Sequence, residues 1–156
     1  MNRNRIILAI LCIVILGGIF FNSCKKEAEL ITAKTEKVNI NIPSDGIFEV
    51  TFNDNYCSAI FGNWFLFPND FVISYIDDAG VVKLFFVLKD SELGQKFSRI
   101  FLQKVDSFTT SDKNKLCTWT DERHAEGKIV VSYYDKDAKV YRASAYTQAE
   151  WDARFG

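Results

Sequence analysis

The chain has 156 residues and a formal net charge of −1, with 48% hydrophobic, 15% aromatic and 25% charged residues. This composition can bury a core and differs from that of a disordered chain, and the length is that of one domain. No stretch is strongly basic, so the electrostatic footprint of a nucleic-acid-binding protein is missing. Nucleic acid is therefore not an expected partner.

The N-terminus has the order of a secretory signal. Arg3 and Arg5 precede an apolar run over residues 6–21, and the small polar residues Asn22 and Ser23 then lead to Cys24. This order matches the charged, apolar and cleavage regions of an export signal. The run falls between the usual signal core and the ~20 residues that span a bilayer, so an uncleaved membrane anchor is the alternative.

The sequence Phe-Asn-Ser-Cys-Lys-Lys-Glu over residues 21–27 resembles the lipobox of bacterial lipoproteins. In that family the cysteine thiol receives a diacylglyceryl group and a peptidase cuts before it, which implies that Cys24 is the lipidated N-terminus. Phe21 and Asn22 stand where a Leu and a small residue are usual, whereas Ser23 fits. The match is similar to the looser lipoboxes of Bacteroidetes-type bacteria.

The resemblance implies an envelope protein that a lipid holds in a membrane. It predicts a signal peptide over 1–23 and a lipidated tether over 24–37, followed by a single globular domain over 38–156. Two or more acyl chains give a stable anchor. Lys25 follows the cysteine where enteric-type lipoproteins retained in the inner membrane have Asp. We therefore expect the protein to be anchored in the outer membrane. The sequence does not decide between its periplasmic face and its surface face.

Alternating apolar residues on either side of turn sequences predict three hairpins, over 38–52, 71–88 and 128–146. The turns are rich in Asp, Gly, Ser and Pro, whose backbone preferences suit tight turns. The second strand of the middle hairpin, over 81–88, is apolar on both faces from Leu84 to Leu88, which predicts an interior position in the sheet.

Helical spacing is clear at one place. Apolar residues recur at three- and four-residue steps from Leu93 to Val105, which predicts an amphipathic helix over about 91–106 with Asp90 or Ser91 as its N-cap. Gly94 weakens this helix by up to ~1 kcal/mol relative to Ala. The polar run over 109–115 is interpreted as a loop.

Two shorter elements complete the prediction. Residues 116–120 are interpreted as a short strand, and the capping-box spacing of Thr147 and Glu150 predicts a short C-terminal helix. Trp151 and Phe155 lie four residues apart on that helix and are expected to dock on the sheet. The predicted fold class is α+β, with a mainly antiparallel, hairpin-built sheet.

The remaining cysteines are expected to form a disulfide. Cys12 leaves with the signal peptide and Cys24 carries the lipid, so Cys57 and Cys117 remain in a compartment where disulfides persist. The alternative is two free, buried thiols.

An aromatic stretch between residues 61 and 71 is the candidate binding site. Its period is ambiguous, so it forms either an exposed apolar patch or part of the core beside Cys57. The candidate binding residues are Phe61, Trp64, Phe65 and Phe67.

No catalytic or metal-binding motif is visible. His124 is the only histidine, in a polar context typical of an exposed loop, and no nucleophile motif accompanies it. The Asp residues at 77–78 and 135–137 are interpreted as turn chemistry rather than cation ligands. We expect no catalytic residue, no metal and no cofactor.

These observations favour a non-enzymatic envelope module that binds another protein, as an accessory subunit or an inhibitor or immunity-type protein. The expected partners are the membrane, through the lipid, and an envelope protein. One alternative is a lipoprotein that binds a small ligand such as a sugar, lipid or peptide through its aromatic residues. The other is an envelope hydrolase built from carboxylates whose positions the sequence leaves open.

Overall fold

An antiparallel sheet of six strands forms the centre of the described part of the chain. The computed structural model describes residues 38, 40–42, 45–52, 55–101 and 106–156. The predicted signal peptide, the lipidated Cys24 and the tether lie outside these residues. The strands are β1 Ile47–Glu49, β2 Phe71–Ile76, β3 Val82–Val87, β4 Asp106–Thr110, β5 Ile129–Asp135 and β6 Val140–Tyr146. Their order in the sheet is β1-β3-β2-β5-β6-β4.

Four described helices cover both faces of this sheet. They are α1 Tyr56–Leu66, α2 Glu92–Ile100, α3 Lys113–Ala125 and α4 Gln148–Phe155. Helices α2 and α4 pack on one face through Phe97 and Trp151, in a cluster rich in large aromatic side chains. Helices α1 and α3 pack on the other face, through Trp64 and Trp119. The predicted α+β class with an antiparallel sheet is confirmed.

The second and third predicted hairpins are confirmed. β2 pairs with β3 and β5 pairs with β6, both antiparallel. In the first turn, the N–H groups of Ala79 and Val81 each donate to Asp77 Oδ1 at 2.9 Å. In the second turn, the Ala138 N–H donates to Asp135 Oδ1 at 3.0 Å. The first aspartate of each pair therefore closes its own turn, as turn chemistry predicts.

The first predicted hairpin is wrong. β1 pairs with β3 instead, with Ile47 opposite Val87. The described residues of 38–42 form no strand, although Val38 is buried and Ile40 and Ile42 pack against the same apolar cluster. An extended segment that lies on a core alternates between buried and exposed side chains whether or not its backbone joins a sheet. The alternation therefore predicted burial correctly but not the pairing.

Helix α2 is confirmed, but it is shorter than predicted. Ser91 is the N-cap, and its Oγ accepts a hydrogen bond from the Gly94 N–H at 3.1 Å. The helix ends at Ile100, and β4 already begins at Asp106. A Cβ atom on Gly94 would lie 2.2 Å from the Leu88 carbonyl oxygen. The glycine is therefore required by this close approach, which its low helix propensity alone does not reveal.

The predicted loop over 109–115 and strand over 116–120 are wrong. β4 continues to Thr110, and α3 then begins behind the N-cap Asp112. The side chain of Asp112 accepts hydrogen bonds from the next turn, as an N-cap does. The buried face of α3 consists of Leu116, Trp119, Thr120 and His124. Because half of these residues are polar, the helix shows no apolar period in the sequence.

The C-terminal helix α4 is confirmed with its capping box. The Thr147 Oγ accepts from the Glu150 N–H at 3.2 Å, and Glu150 in return accepts from the Thr147 N–H at 2.8 Å. Trp151 is buried, and its ring centroid lies 4.6 Å from that of Phe155. Both rings pack in the cluster of the sheet face, so the predicted docking of this helix is also confirmed.

Candidate functional site

Helix α1 and the residues that follow it carry no charge, although several of their side chains are exposed at the protein surface. Residues 56–69 include no acidic or basic side chain. Asn55 caps the helix, because its Oδ1 accepts from the Ser58 N–H at 2.8 Å. Near the other end, the Trp64 indole Nε1 donates to the Asp70 carbonyl oxygen at 3.0 Å. Both ends of α1 are thus fixed by specific hydrogen bonds.

The aromatic residues predicted as a binding site divide between the core and the surface. Trp64 is only 3% exposed, whereas Phe65 is 87%, Leu66 67% and Phe67 55% exposed. The helical repeat explains this division, since Ile60 and Trp64 are four residues apart and both face the sheet. The two interpretations of this stretch, core and exposed patch, therefore each hold for some of its residues.

A shallow cleft of about 240 Å³ lies between α1 and the end of the β5–β6 hairpin. Five aromatic residues line this aromatic cleft: Phe61, Trp64, Phe65, Tyr134 and Tyr141. The Tyr141 ring centroid lies 5.4 Å from that of Phe61 and 5.7 Å from that of Trp64. Phe67, the fourth predicted residue, is exposed beyond the cleft. The cleft is therefore a continuous aromatic surface that joins residues about seventy positions apart in the sequence.

Direct hydrogen bonds hold the two walls of the cleft together. The Asn69 N–H donates to the Tyr134 carbonyl oxygen at 3.1 Å, and Asn69 Oδ1 accepts from the Lys136 N–H at 3.2 Å. Asn69 has a φ of +72°, a left-handed conformation that Asn tolerates better than most residues. The loop after α1 is thus bonded to the hairpin that carries both tyrosines.

The cysteines predicted to pair connect the cleft helix to its neighbour. Cys57 lies in the first turn of α1 and Cys117 lies in α3, and their sulfur atoms are at disulfide distance. Their Cα atoms are 6.2 Å apart, within the range that a disulfide requires. The cross-link lies on the same sheet face as the cleft, so it fixes the start of α1 while Trp64 fixes its end.

His124 is not in an exposed loop, contrary to the sequence interpretation. It lies in the last turn of α3 and is buried, with its Nε2 atom 3.0 Å from Ser74 Oγ in the middle of β2. The ring also packs 5.5 Å from that of Tyr56, whose hydroxyl hydrogen-bonds to Asp121. Burial, and then the hydrogen bond with Asp121, raise the pKa of Tyr56. The His124–Ser74 pair is therefore buried between α3 and the sheet, while the Tyr56–Asp121 bond lies at the exposed edge of the same contact.

The buried histidine predicts loss of stability in mild acid. Burial lowers the pKa of His124, although the hydrogen bond with Ser74 and then the charge of Asp121 partly oppose this. In the unfolded chain the pKa of this histidine is about 6.5, so the unfolded chain binds a proton more readily than the folded protein does. The free energy of unfolding is therefore retained above that pH and falls below it, by at most about 1.4 kcal/mol per pH unit. Urea unfolding at pH 5 to 7.5 measures this slope.

A His124→Gln variant is the control for the pH experiment, because its side chain stays neutral throughout. We expect its unfolding free energy to change less between pH 7 and pH 5.5 than that of the unmodified protein. An equal slope in both proteins would assign the acid sensitivity to other groups.

The His124–Ser74 pair does not form an accessible nucleophile. Both side chains are buried, Ser74 completely, and Asp121 is bonded to Tyr56. A serine nucleophile must meet its substrate, so this geometry describes a satisfied polar pair in the core. Within the described residues, no group of three His, Cys, Asp or Glu side chains is placed to hold a metal ion. No helix in that part of the chain is long and apolar enough to cross a bilayer.

Comparison with known proteins finds no match, so the function is inferred from the geometry of the described residues. The chain matches no model of a protein family, no curated protein and no solved structure. Within the described residues, the aromatic cleft combines an exposed ring, Phe65, with walls that Asn69 joins by hydrogen bonds. Tyr134 and Tyr141 were missed in the sequence, although their opposed positions in the predicted third hairpin place two aromatic rings side by side.

Proposed function

We propose that the chain is a lipoprotein of the cell envelope, anchored through Cys24, that binds a protein partner through the aromatic cleft. The observation that supports this most is Phe65, a large apolar side chain that is 87% exposed beside two tyrosines, on a helix held by hydrogen bonds at both ends. Aromatic anchors around a pocket are the groups that contribute most to protein–protein binding. The module acts by binding, as an accessory subunit or an inhibitor or immunity-type protein.

The size of the cleft favours a protein over a small molecule. Its volume of about 240 Å³ is below the roughly 300–1,000 Å³ of most small-molecule sites. Such a cleft accepts one or two side chains from a larger surface. Lys113 adds a cationic border, with its Nζ 5.8 Å from the Phe61 ring centroid. A small-ligand lipoprotein is the second candidate, and a saturable thermal shift with a sugar, lipid or peptide supports that candidate instead.

The experiment is purification of the tagged full-length protein from native membranes in mild detergent. Mass spectrometry then identifies the N-terminal residue, its modification and any companion protein. We expect a lipidated Cys24 and a stoichiometric companion that is lost from a Phe65→Ala variant. Val81→Ala is the matched control, because Val81 is also exposed but lies at the opposite end of the sheet.

Three outcomes contradict parts of the proposal. An intact Met1 or a lipid-free chain contradicts the anchor. A protein that is lipidated but purifies alone contradicts binding to a stable partner. A companion retained by Phe65→Ala contradicts the role of the cleft.

A further inference from the structure

Exposed apolar side chains gather at one end of the sheet. Six large apolar side chains of the described residues are exposed, and five of them lie at the end where β2 begins: Phe48, Phe65, Leu66, Phe67 and Leu88. Leu66 and Phe67 end α1 just before Phe71, the first residue of β2. Val87, the last residue of β3, pairs with Phe71, and Leu88 follows it. The sixth residue, Val81, precedes β3 at the opposite end.

The register of the sheet places these residues on the side that carries α1. Phe48 lies opposite Phe86, which packs against the cluster beneath α1 and α3. Leu88 is two residues beyond Phe86 and continues the ladder, since its N–H donates to the Gly46 carbonyl oxygen at 3.1 Å. Alternate residues of a strand share a face, so Leu88 lies on the same side as Phe86. Phe65 lines the aromatic cleft, and the other four residues form what we call the apolar end: Phe48, Leu66, Phe67 and Leu88.

The apolar end is not enriched in charge of either sign. Residues 56–69 are uncharged, and the nearest lysines are Lys89, next to Leu88, and Lys136, whose N–H is bonded to Asn69. Each lysine is followed by an aspartate, and Glu49, next to Phe48, pairs with Lys83 at 3.3 Å, so charges of both signs occur beside the apolar end. Burial of this surface is therefore driven by its apolar side chains rather than by attraction to a charged partner.

The proposed lipid anchor makes the bilayer the apolar medium that is closest to the apolar end. Val38, the first described residue, is buried in the core and follows Cys24 by 14 residues. An extended chain spans at most about 3.6 Å per residue, so a lipidated Cys24 keeps the domain within roughly 50 Å of the bilayer. At such a high effective concentration, even a weak apolar contact with the membrane is populated.

We infer that the apolar end lies in the interfacial region of the bilayer that carries the anchor, with Leu66 and Phe67 inserted among the lipids. This inference rests on the proposed lipid anchor at Cys24. The aromatic cleft includes Phe65, the residue before Leu66 in α1, so docking places the cleft beside the membrane surface. The partner that enters the cleft is then a membrane protein or another lipid-anchored protein, bound through a segment close to the lipid headgroups.

The test uses full-length lipidated protein reconstituted into phosphatidylcholine vesicles with brominated acyl chains. A Phe67→Trp variant reports insertion at the apolar end, and Val81→Trp is the matched control at the opposite end. We expect the added fluorescence of Phe67→Trp to be quenched by the brominated chains. The emission of Val81→Trp is expected to be quenched no more than that of the unmodified protein, whose Trp64, Trp119 and Trp151 are buried. Melting temperatures check that both variants are folded.

The outcomes separate this inference from the proposed function. If the protein floats with the vesicles but Phe67→Trp is not quenched, the membrane contact is overturned and the anchor stands. If Phe67→Trp becomes shielded only when the protein companion is added, the apolar end is a protein contact and the inference is again overturned. A chain that does not float with vesicles overturns both the anchor and the docking. Quenching that persists in high salt supports docking through apolar side chains, whereas its loss in high salt contradicts it.

Discussion

Replacing Trp64 with alanine is expected to lower the free energy of unfolding by about 3–5 kcal/mol, the usual loss for a large buried aromatic side chain. Trp64 is 3% exposed, packs beside Phe61 and Tyr141, and donates to the Asp70 carbonyl oxygen. Replacing its neighbour Phe65 is expected to change stability by no more than about 0.5 kcal/mol, because that ring lies in solvent. Urea unfolding of both variants measures the difference.

A Trp64→Phe variant separates packing from hydrogen bonding at this site. It keeps a large ring but leaves the Asp70 carbonyl oxygen without its indole donor, which costs about 1–3 kcal/mol. Its stability is therefore expected between those of the unmodified protein and Trp64→Ala. Equal losses for Trp64→Ala and Phe65→Ala would contradict the division of α1 into a core side and an exposed side.

Removal of the Cys57–Cys117 cross-link is expected to lower the free energy of unfolding by about 4 kcal/mol. The two cysteines are 60 positions apart, and the chain-entropy model assigns about this stabilisation to a loop of that size. The measurement is urea unfolding of a Cys57→Ala, Cys117→Ala double variant beside the unmodified protein. Thiol labelling of denatured, non-reduced mature protein is expected to find no free cysteine.

A reductant supplies the control for the disulfide experiment. In its presence the unmodified protein is expected to become about as unstable as the double variant, while the stability of the double variant stays the same. Two labelled thiols in the mature protein, or a double variant as stable as the unmodified protein, would show that the pair is not a stabilising disulfide.

Much of the sheet could be predicted because its hairpins are local. β2 with β3 and β5 with β6 are joined by turns whose aspartates close them, so apolar alternation and turn residues identify both pairs. Helix α2 could be predicted from its apolar spacing, with Ser91 as one of two candidate N-caps, and α4 from the Thr147–Glu150 capping box. The pairing of β1 with β3 was missed because it joins segments separated by two other elements.

Helices α1 and α3 were missed for opposite reasons. Helix α1 is apolar on its exposed side as well as its buried side, so no period separates the two. Helix α3 buries Thr120 and His124, so its inward face resembles a surface. Both cases depend on tertiary contacts: Ser74 hydrogen-bonds to His124 within the sheet, whereas Phe65 stays 87% exposed.

Composition identified part of the candidate site. The aromatic stretch supplied Phe61, Trp64 and Phe65, but which ring faces outward depends on how α1 lies on the sheet. Tyr134 and Tyr141 could be placed opposite each other from the predicted hairpin, yet nothing in the sequence brings that hairpin to α1. The link is Asn69, whose backbone and side chain both bond to the hairpin strand or turn.

For the proposed binding through the cleft, the bonds from Asn69 to the hairpin also have a kinetic consequence. Because they join the two walls before any partner arrives, the site is preorganised, and little conformational entropy remains to be lost on association. A partner then binds a surface that is already formed, and association needs no rearrangement of the loop that contains Asn69. Variation among side chains in the cleft should therefore change mainly how long the complex lives, while the rate of its formation stays nearly constant.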